Sequence, residues 1–222
     1  MKMFKLTAIT ATLLAASSFS QVASAEGSLS ANIGYVSEYH FRGIQQTGAG
    51  STSAGLDYEN GGFYVGTWAA DVAEGLEVDF YAGYGFEFDS GIALGAGVTS
   101  YQYTGDFDSA YNEINLSAGY EMFSFEYSVG TWDGSDDYFD EDDMVVEGDP
   151  EADYSFIGLS LEFGSFSGTI GSWGKDFEGE YFELAYGTEI GGFDVGVGVI
   201  VSGSDLDDDE AMYFSLSKSF DL

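Results

Sequence analysis

Residues 29–42 read LSANIGYVSEYHFR, and alternate positions in this stretch differ in polarity. The odd positions are mostly apolar or aromatic, whereas the even positions are mostly small, polar or charged. The odd positions are Leu29, Ala31, Ile33, Tyr35, Ser37, Tyr39 and Phe41. The even positions are Ser30, Asn32, Gly34, Val36, Glu38, His40 and Arg42. Because successive side chains of a strand point to opposite faces, the alternation predicts one β-strand with an apolar face and a polar face.

Similar segments recur along the rest of the chain. The predicted strands cover residues 29–42, 52–59, 63–70, 76–88, 92–103, 112–122, 123–132, 154–163, 166–173, 181–190, 193–202 and 211–222. Very short turns, such as Asn60-Gly61-Gly62, alternate with longer and often acidic loops. An even number of strands with short turns on one side and long loops on the other is typical of outer-membrane barrels. The sequence therefore predicts an all-β fold, a transmembrane antiparallel up-and-down β-barrel of about 12 strands.

Composition agrees with a closed sheet. The chain has 32 glycines, one proline and 17 % aromatic residues. Open sheets commonly protect their edges with lysine and proline, whereas a barrel has no edges. Aromatic residues gather beside the short turns, as in an interfacial belt. They are Tyr58, Phe63, Phe86, Phe88, Phe123, Phe125, Phe163, Phe166 and Phe193.

The first 25 residues have the pattern of a cleaved secretory signal peptide. Lys2 and Lys5 precede an apolar run, and Ala23-Ser24-Ala25 provides a small-residue cleavage site. The run is too short to cross a bilayer as a helix. We therefore expect a signal peptide at 1–25 and a barrel domain at 26–222, located in the outer membrane of a Gram-negative bacterium. The last residues, 215–222, resemble the C-terminal signal read by the outer-membrane assembly machinery.

Charge and cysteine content limit the function further. The chain has 39 acidic and five basic residues, and removing Lys2 and Lys5 leaves a formal charge of −36. Nucleic acid is therefore not an expected partner, because its binding requires basic patches. The chain contains no cysteine, so disulfides and thiol chemistry are excluded. The expected partners are outer-membrane lipid, lipopolysaccharide and small solutes.

The polar face of the strands is predicted to line the barrel interior. The candidate pore-lining residues are Glu38, His40, Arg42, Asp57, Glu77, Asp79, Tyr81, Glu113, Glu126 and Glu183. One arginine and one histidine cannot pair so many carboxylates, and a buried unpaired carboxylate is costly. Most of these acids are therefore expected to be hydrated, protonated or metal-bound. This favours a water-lined lumen over a solid polar core, and acidic linings favour cations. Inner-face tyrosines could contact cations or simply pack the lumen. Phe156 falls on the inner face of its strand, which suggests a bulge or slipped register there.

Two acidic loops are candidates for binding Ca²⁺ or Mg²⁺. Their carboxylates are Asp136, Asp137, Asp140, Asp142, Asp207 and Asp209. Residues 205–209 begin like an EF-hand loop, but Glu210 replaces the glycine and Leu216 the bidentate glutamate. Solvated loops and weak divalent binding both remain open, and divalent ions could bridge the loops to lipopolysaccharide phosphates. No other cofactor is expected.

His40 is the single histidine, and it is flanked on the same predicted face by Glu38 and Arg42. With a serine it could support a membrane acyl hydrolase or acyltransferase. No Gly-x-Ser-x-Gly motif occurs, and nothing in the sequence selects a serine. We therefore expect a protein that is not an enzyme, with His40 in a polar network at the barrel rim.

The segment 37–47, SEYHFRGIQQT, followed by Gly55-Leu56-Asp57-Tyr58 and residues 62–68, resembles the TorF family of proteobacterial porins. That family usually shows Ser-Asp-Tyr-x-Phe-Arg-Gly-Ile-Ser-Gln, so Glu38 and Gln45 are mild departures. The resemblance implies an outer-membrane barrel with a porin role.

Three functions follow as hypotheses. The first is a narrow, acid-lined channel for passive diffusion of small cationic, zwitterionic or neutral solutes. The second is a closed structural or adhesive barrel with cation-binding acidic loops. The third is a barrel enzyme that uses His40.

Overall fold

The computed structural model describes residues 27–105, 107–135, 138–139, 145–206 and 210–222. The predicted signal peptide lies outside these residues. The strands of the described part are β1 (Ser28–Val36), β2 (Tyr39–Phe41), β3 (Ile44–Thr47), β4 (Ser51–Asn60), β5 (Phe63–Val72), β6 (Gly75–Glu87), β7 (Ile92–Tyr103), β8 (Tyr111–Tyr120), β9 (Phe123–Trp132), β10 (Tyr138–Phe139), β11 (Val145–Val146), β12 (Ala152–Phe163), β13 (Phe166–Lys175), β14 (Glu180–Ile190), β15 (Phe193–Ser202) and β16 (Glu210–Asp221). A 3₁₀ turn covers Ser204–Leu206.

Twelve of these strands form one closed antiparallel barrel. The order around the barrel is β1-β16-β15-β14-β13-β12-β9-β8-β7-β6-β5-β4. Closure is made by β1, whose Tyr35 is paired with Leu216 of β16 on one side and with Thr52 of β4 on the other. The predicted 12-stranded antiparallel barrel is confirmed, and most strand ends differ from the predicted ones by only a few residues.

The outer face of the barrel is a continuous apolar surface. Ile33 and Leu159 each expose 50 % of their area, and their neighbours on the same face are similarly exposed. The aromatic residues beside the short turns, such as Phe63, Phe123 and Phe166, also point outward. In an antiparallel barrel such a band faces lipid, because the alternate face carries the polar residues. Within the described ranges, no helix is long and apolar enough to cross a bilayer.

The prediction of one strand over residues 29–42 is wrong beyond Val36. Residues Tyr39–Phe41 and Ile44–Thr47 form a separate hairpin, β2–β3, which we call the inner hairpin. Arg42 and Gly43 form the turn of this hairpin, with φ angles of 48° and 85°. Tyr39, predicted on the outer face, is buried beside Trp68 of β5, with ring centroids 5.9 Å apart. Burial of these aromatic rings inside the barrel outweighs the local alternation that would have continued the wall.

The bulge or slipped register suggested around Phe156 is absent. The pairing of β12 with β9 and β13 is continuous through this residue. Phe156 does point inward, where its ring lies 4.4 Å from the guanidinium carbon of Arg42. The apolar residue on the polar face is therefore a partner for the inner hairpin rather than a register error.

Candidate functional site inside the barrel

The inner hairpin crosses the lumen and is held by side chains from several barrel strands. Trp173 Nε1 of β13 donates a hydrogen bond to the Arg42 carbonyl oxygen at 3.1 Å. Ser202 Oγ of β15 donates to the Gly43 carbonyl oxygen at 2.6 Å. On another wall, Tyr39 Oη donates to Glu77 Oε1 of β6 at 2.8 Å. The hairpin is therefore fixed between distant strands and obstructs the lumen at its level.

Arg42 at the hairpin turn forms the central ion-pair cluster. Its Nη1 and Nη2 donate to the two oxygens of Glu113 at 2.8 and 3.0 Å, and Nη2 also donates to Glu126 at 2.5 Å. Ser128 Oγ accepts a further hydrogen bond at 2.9 Å. Burial alone would lower the pKa of Arg42, but Glu113 and Glu126 raise it well above its usual value. The guanidinium therefore stays charged and neutralises part of the acidic interior.

Tyrosine hydroxyls provide most of the remaining hydrogen bonds to the buried acids. Glu113 accepts from Tyr101 at 2.6 Å and from Tyr154 at 3.0 Å. Glu77 accepts from Tyr103 at 3.0 Å in addition to Tyr39. The sequence predicted acids that are mostly hydrated, protonated or metal-bound, whereas these two glutamates accept hydrogen bonds from tyrosine hydroxyls and, for Glu113, from Arg42. The cross-strand pairing of Glu77 with Tyr103 was a signal that could have shown this from the sequence.

Two further tyrosine–carboxylate pairs lie on other walls of the lumen. Tyr81 donates to Asp57 across the intervening strand β5. This reach depends on Gly66, because a Cβ there would lie 2.5 Å from both Asp57 Oδ1 and the Tyr81 ring. Tyr213 donates in the same way to Glu183. Tyrosine hydroxyls thus donate hydrogen bonds to carboxylates at several places in the interior.

Asp79 differs from the other inner acids. It is fully buried, and neither of its carboxylate oxygens has a hydrogen-bond partner among the described residues. Its cross-strand neighbour Trp68 is also buried, and the indole Nε1 has no partner there either. Glu77, two residues before it on the same face of β6, is fully buried as well.

The predicted site residues therefore separate into several groups. Arg42, Glu113 and Glu126 come together, and Glu77 lies with Asp79 on a neighbouring wall. Asp57 with Tyr81, and Glu183, line other parts of the interior. Glu38 and His40 were predicted to lie on the barrel wall, but they lie on or just before the inner hairpin. There His40 Nε2 is 2.8 Å from Glu38 Oε1.

The two ends of the interior differ. At the short-turn end, inner-position acids such as Glu59, Glu87 and Glu189 are exposed. At the long-loop end, Phe177 packs against Tyr154 and Trp173 with ring centroids 5.5 and 5.8 Å apart. The short-turn end of the interior thus carries exposed acids, whereas the long-loop end is packed by aromatic rings and the inner hairpin.

The six aspartates proposed to bind Ca²⁺ or Mg²⁺ lie outside the described residues. They are Asp136, Asp137, Asp140, Asp142, Asp207 and Asp209. Among the residues that are described, no group of three or more His, Asp or Glu side chains is arranged to hold a metal ion.

Solved structures with the same architecture include membrane proteins of low sequence identity. A membrane protein from a study of in-meso crystallization is 12 % identical, with a TM-score of 0.61, covering 88 % of this chain and 84 % of that one. An outer membrane channel from Pseudomonas putida F1 is 9 % identical, with a TM-score of 0.52, covering 90 % of this chain and 97 % of that one. At such identities the likeness shows the fold.

Sequence comparison leads to a family rather than to an individual relative. No curated protein matches the chain. The model of the family described as "Bacterial protein of unknown function (Gcw_chp)" matches residues 20–164, which is well over half of the sequence. The match contains the inner hairpin, Glu77, Asp79, Glu113 and Glu126. The chain belongs to this Gcw_chp family.

Proposed function

We propose that the protein is a channel of the Gram-negative outer membrane for passive diffusion of small cationic, zwitterionic or neutral solutes. The observation that carries the proposal is a closed barrel with an apolar outer face and acidic side chains on its inner face. The resemblance of segment 37–47 to TorF porins supports the same assignment. Lipid and lipopolysaccharide would surround the barrel, and the assembly machinery would insert it.

The charge of the interior favours cations over anions. Glu77, Asp79, Glu113 and Glu183 are buried on the inner face, and Arg42 and His40 of the inner hairpin are buried with them. Arg42 is already engaged by Glu113 and Glu126. A net negative lining in a low-dielectric wall concentrates cations and repels anions.

The inner hairpin limits what can pass. It is paired within itself and is attached to the barrel wall through side chains, since its strands are not part of the barrel ladder. These side-chain contacts can break while the strand pairs of the barrel stay intact. We therefore propose that the hairpin is the constriction and that its position sets the conductance.

Planar-bilayer recording tests this function. We expect the wild-type protein to give small, cation-selective conductance, shown by the sign of the reversal potential in a KCl gradient. Replacing residues 39–46 with a short Gly-Ser linker removes the obstruction and should increase the conductance several-fold. Gln45→Ala, at an exposed position of the same hairpin, is the matched control and should behave like wild type. Anion preference, or silence of both wild type and the linker variant, would refute the channel.

The packed long-loop half favours one second candidate, a closed structural or adhesive barrel with cation-binding loops. In that case the linker variant would conduct while the wild type would not. The enzyme hypothesis has less support, because His40 is buried and lies beside Glu38. We propose that the protein is not an enzyme, so that expressing wild type or His40→Ala should leave the acyl chains of the membrane lipids equally unchanged.

A further inference from the structure

Glu77 and Asp79 are two buried carboxylates that form no salt bridge with a lysine or arginine of the described residues. Both residues are 0 % exposed and lie on the inner face of β6. Glu77 accepts hydrogen bonds from Tyr39 and Tyr103, which are neutral donors. Asp79 has no hydrogen-bond partner within the described part of the chain. A buried carboxylate without a partner is strongly unfavourable, and it is relieved either by taking up a proton or by binding a cation.

Arg42, Lys175 and Lys218, the lysine and arginine side chains of the described residues, are engaged elsewhere. Arg42 pairs with Glu113 and Glu126. Lys175 Nζ lies 3.6 Å from Asp153, near the long-loop end. Lys218 Nζ lies over the rings of Phe193 and Phe220, at 4.8 and 5.5 Å from their centroids. A cation bound at Asp79 would therefore come from solution.

We propose that Glu77 and Asp79 bind one monovalent inorganic cation, Na⁺ or K⁺, inside the barrel and beneath the inner hairpin. Hard cations prefer oxygen ligands, and the Asp79 carboxylate offers two oxygens that no described protein group uses. Both Glu77 oxygens already accept hydrogen bonds from Tyr39 and Tyr103, so only Asp79 offers unused acidic oxygens, far fewer than the six to eight oxygen ligands of a Ca²⁺ site. A water molecule carried in by the ion could accept the hydrogen bond that Trp68 Nε1 is able to donate.

The inner hairpin controls access to this site. Tyr39 of the hairpin is hydrogen-bonded to Glu77 and packs against Trp68, so it covers the two carboxylates. This site rests on the proposed channel function, because the ion would reach it through the lumen. Equilibrium binding in detergent, which needs no conduction, tests the site separately from the channel.

The experiment uses the full mature protein folded in detergent micelles at neutral pH and constant ionic strength. N-methyl-D-glucamine chloride is replaced stepwise by NaCl or KCl, and the melting temperature is followed by tryptophan fluorescence. Equilibrium dialysis against radioactive sodium gives the number of ions bound. We expect a saturable rise in melting temperature of about 2–4 °C and one ion per barrel that Asp79→Asn does not bind.

Glu87→Gln is the matched control, because Glu87 is an exposed acid on the same face of β6. It should retain both the saturable rise and the bound ion. A wild-type melting temperature that is equal in all three salts would overturn the site, since Asp79 would then be neutralised by a proton. Equal sodium binding by wild type and Asp79→Asn would also overturn it. If Asp79→Asn does not fold, Glu77→Gln and the wild-type titration decide the question. Conductance without saturable sodium binding would refute the site and leave the channel intact.

Discussion

Arg42 and Glu113 are 71 positions apart in the sequence, yet they form a two-pronged ion pair inside the barrel, with N–O distances of 2.8 and 3.0 Å. The side chains of both residues are at most 5 % exposed. The pair joins the turn of the inner hairpin to the beginning of β8. It therefore links the position of the constriction to the wall of the lumen.

Arg42→Gln removes the charge from this pair. We expect the free energy of unfolding to fall by about 3–5 kcal/mol, because Glu113 would remain buried without a cation. Urea titration of the protein in lipid vesicles, followed by tryptophan fluorescence, measures this change. The matched variant is Glu113→Gln, and the double variant should lose less than the sum of the single changes. Strict additivity would show that the two groups do not interact.

Gly43→Ala tests the turn of the inner hairpin. Gly43 has a φ of 85°, and an added Cβ would lie 2.6 Å from Tyr181 Cβ. Gly61 has a φ of 59°, but an added Cβ there would meet no atom within 4 Å. We expect Gly43→Ala to lower the free energy of unfolding by about 1–3 kcal/mol more than Gly61→Ala, because of the clash in the lumen. Equal losses would mean that backbone conformation alone matters at both positions.

Phe156→Ala removes the ring that packs on Arg42. Phe156 is 2 % exposed, whereas Phe163 on the same strand is 69 % exposed on the outer face. The buried truncation should cost about 3–5 kcal/mol in unfolding free energy. Phe163→Ala is the matched control and should cost much less. Chemical denaturation of both variants in vesicles decides between them, and similar costs would contradict the packed interior.

Leu159→Arg tests whether the outer face lies in lipid. Leu159 is an outward residue near the middle of β12, and a charge at that depth should cost about 2–4 kcal/mol in vesicles. Gln102→Arg is the control, because Gln102 faces outward near the long-loop end of β7. Its cost should be about 0–1 kcal/mol. A mature protein that stayed monomeric in buffer without detergent would contradict the lipid-facing surface.

Most of the barrel strands could be predicted from the amino-acid sequence alone. Strands such as β7, β9 and β15 were predicted with the same ends that the structure shows. Glu77, Asp79, Glu113 and Glu183 were correctly assigned to the inner face, because alternation along a strand is a local property. The role of tyrosine in holding these acids was missed, since donors such as Tyr101 and Tyr154 come from different strands.

The sequence by itself determined that this chain forms alternating strands with an apolar side and an acidic side, because that pattern depends only on neighbouring residues. It could not show that residues 39–47 leave the wall and fold into the lumen. Only barrel closure brings Arg42 to Glu113 and Tyr39 to Glu77, because these contacts join residues that are distant along the chain. Burial and charge neutralisation among those distant residues then outweigh the local alternation.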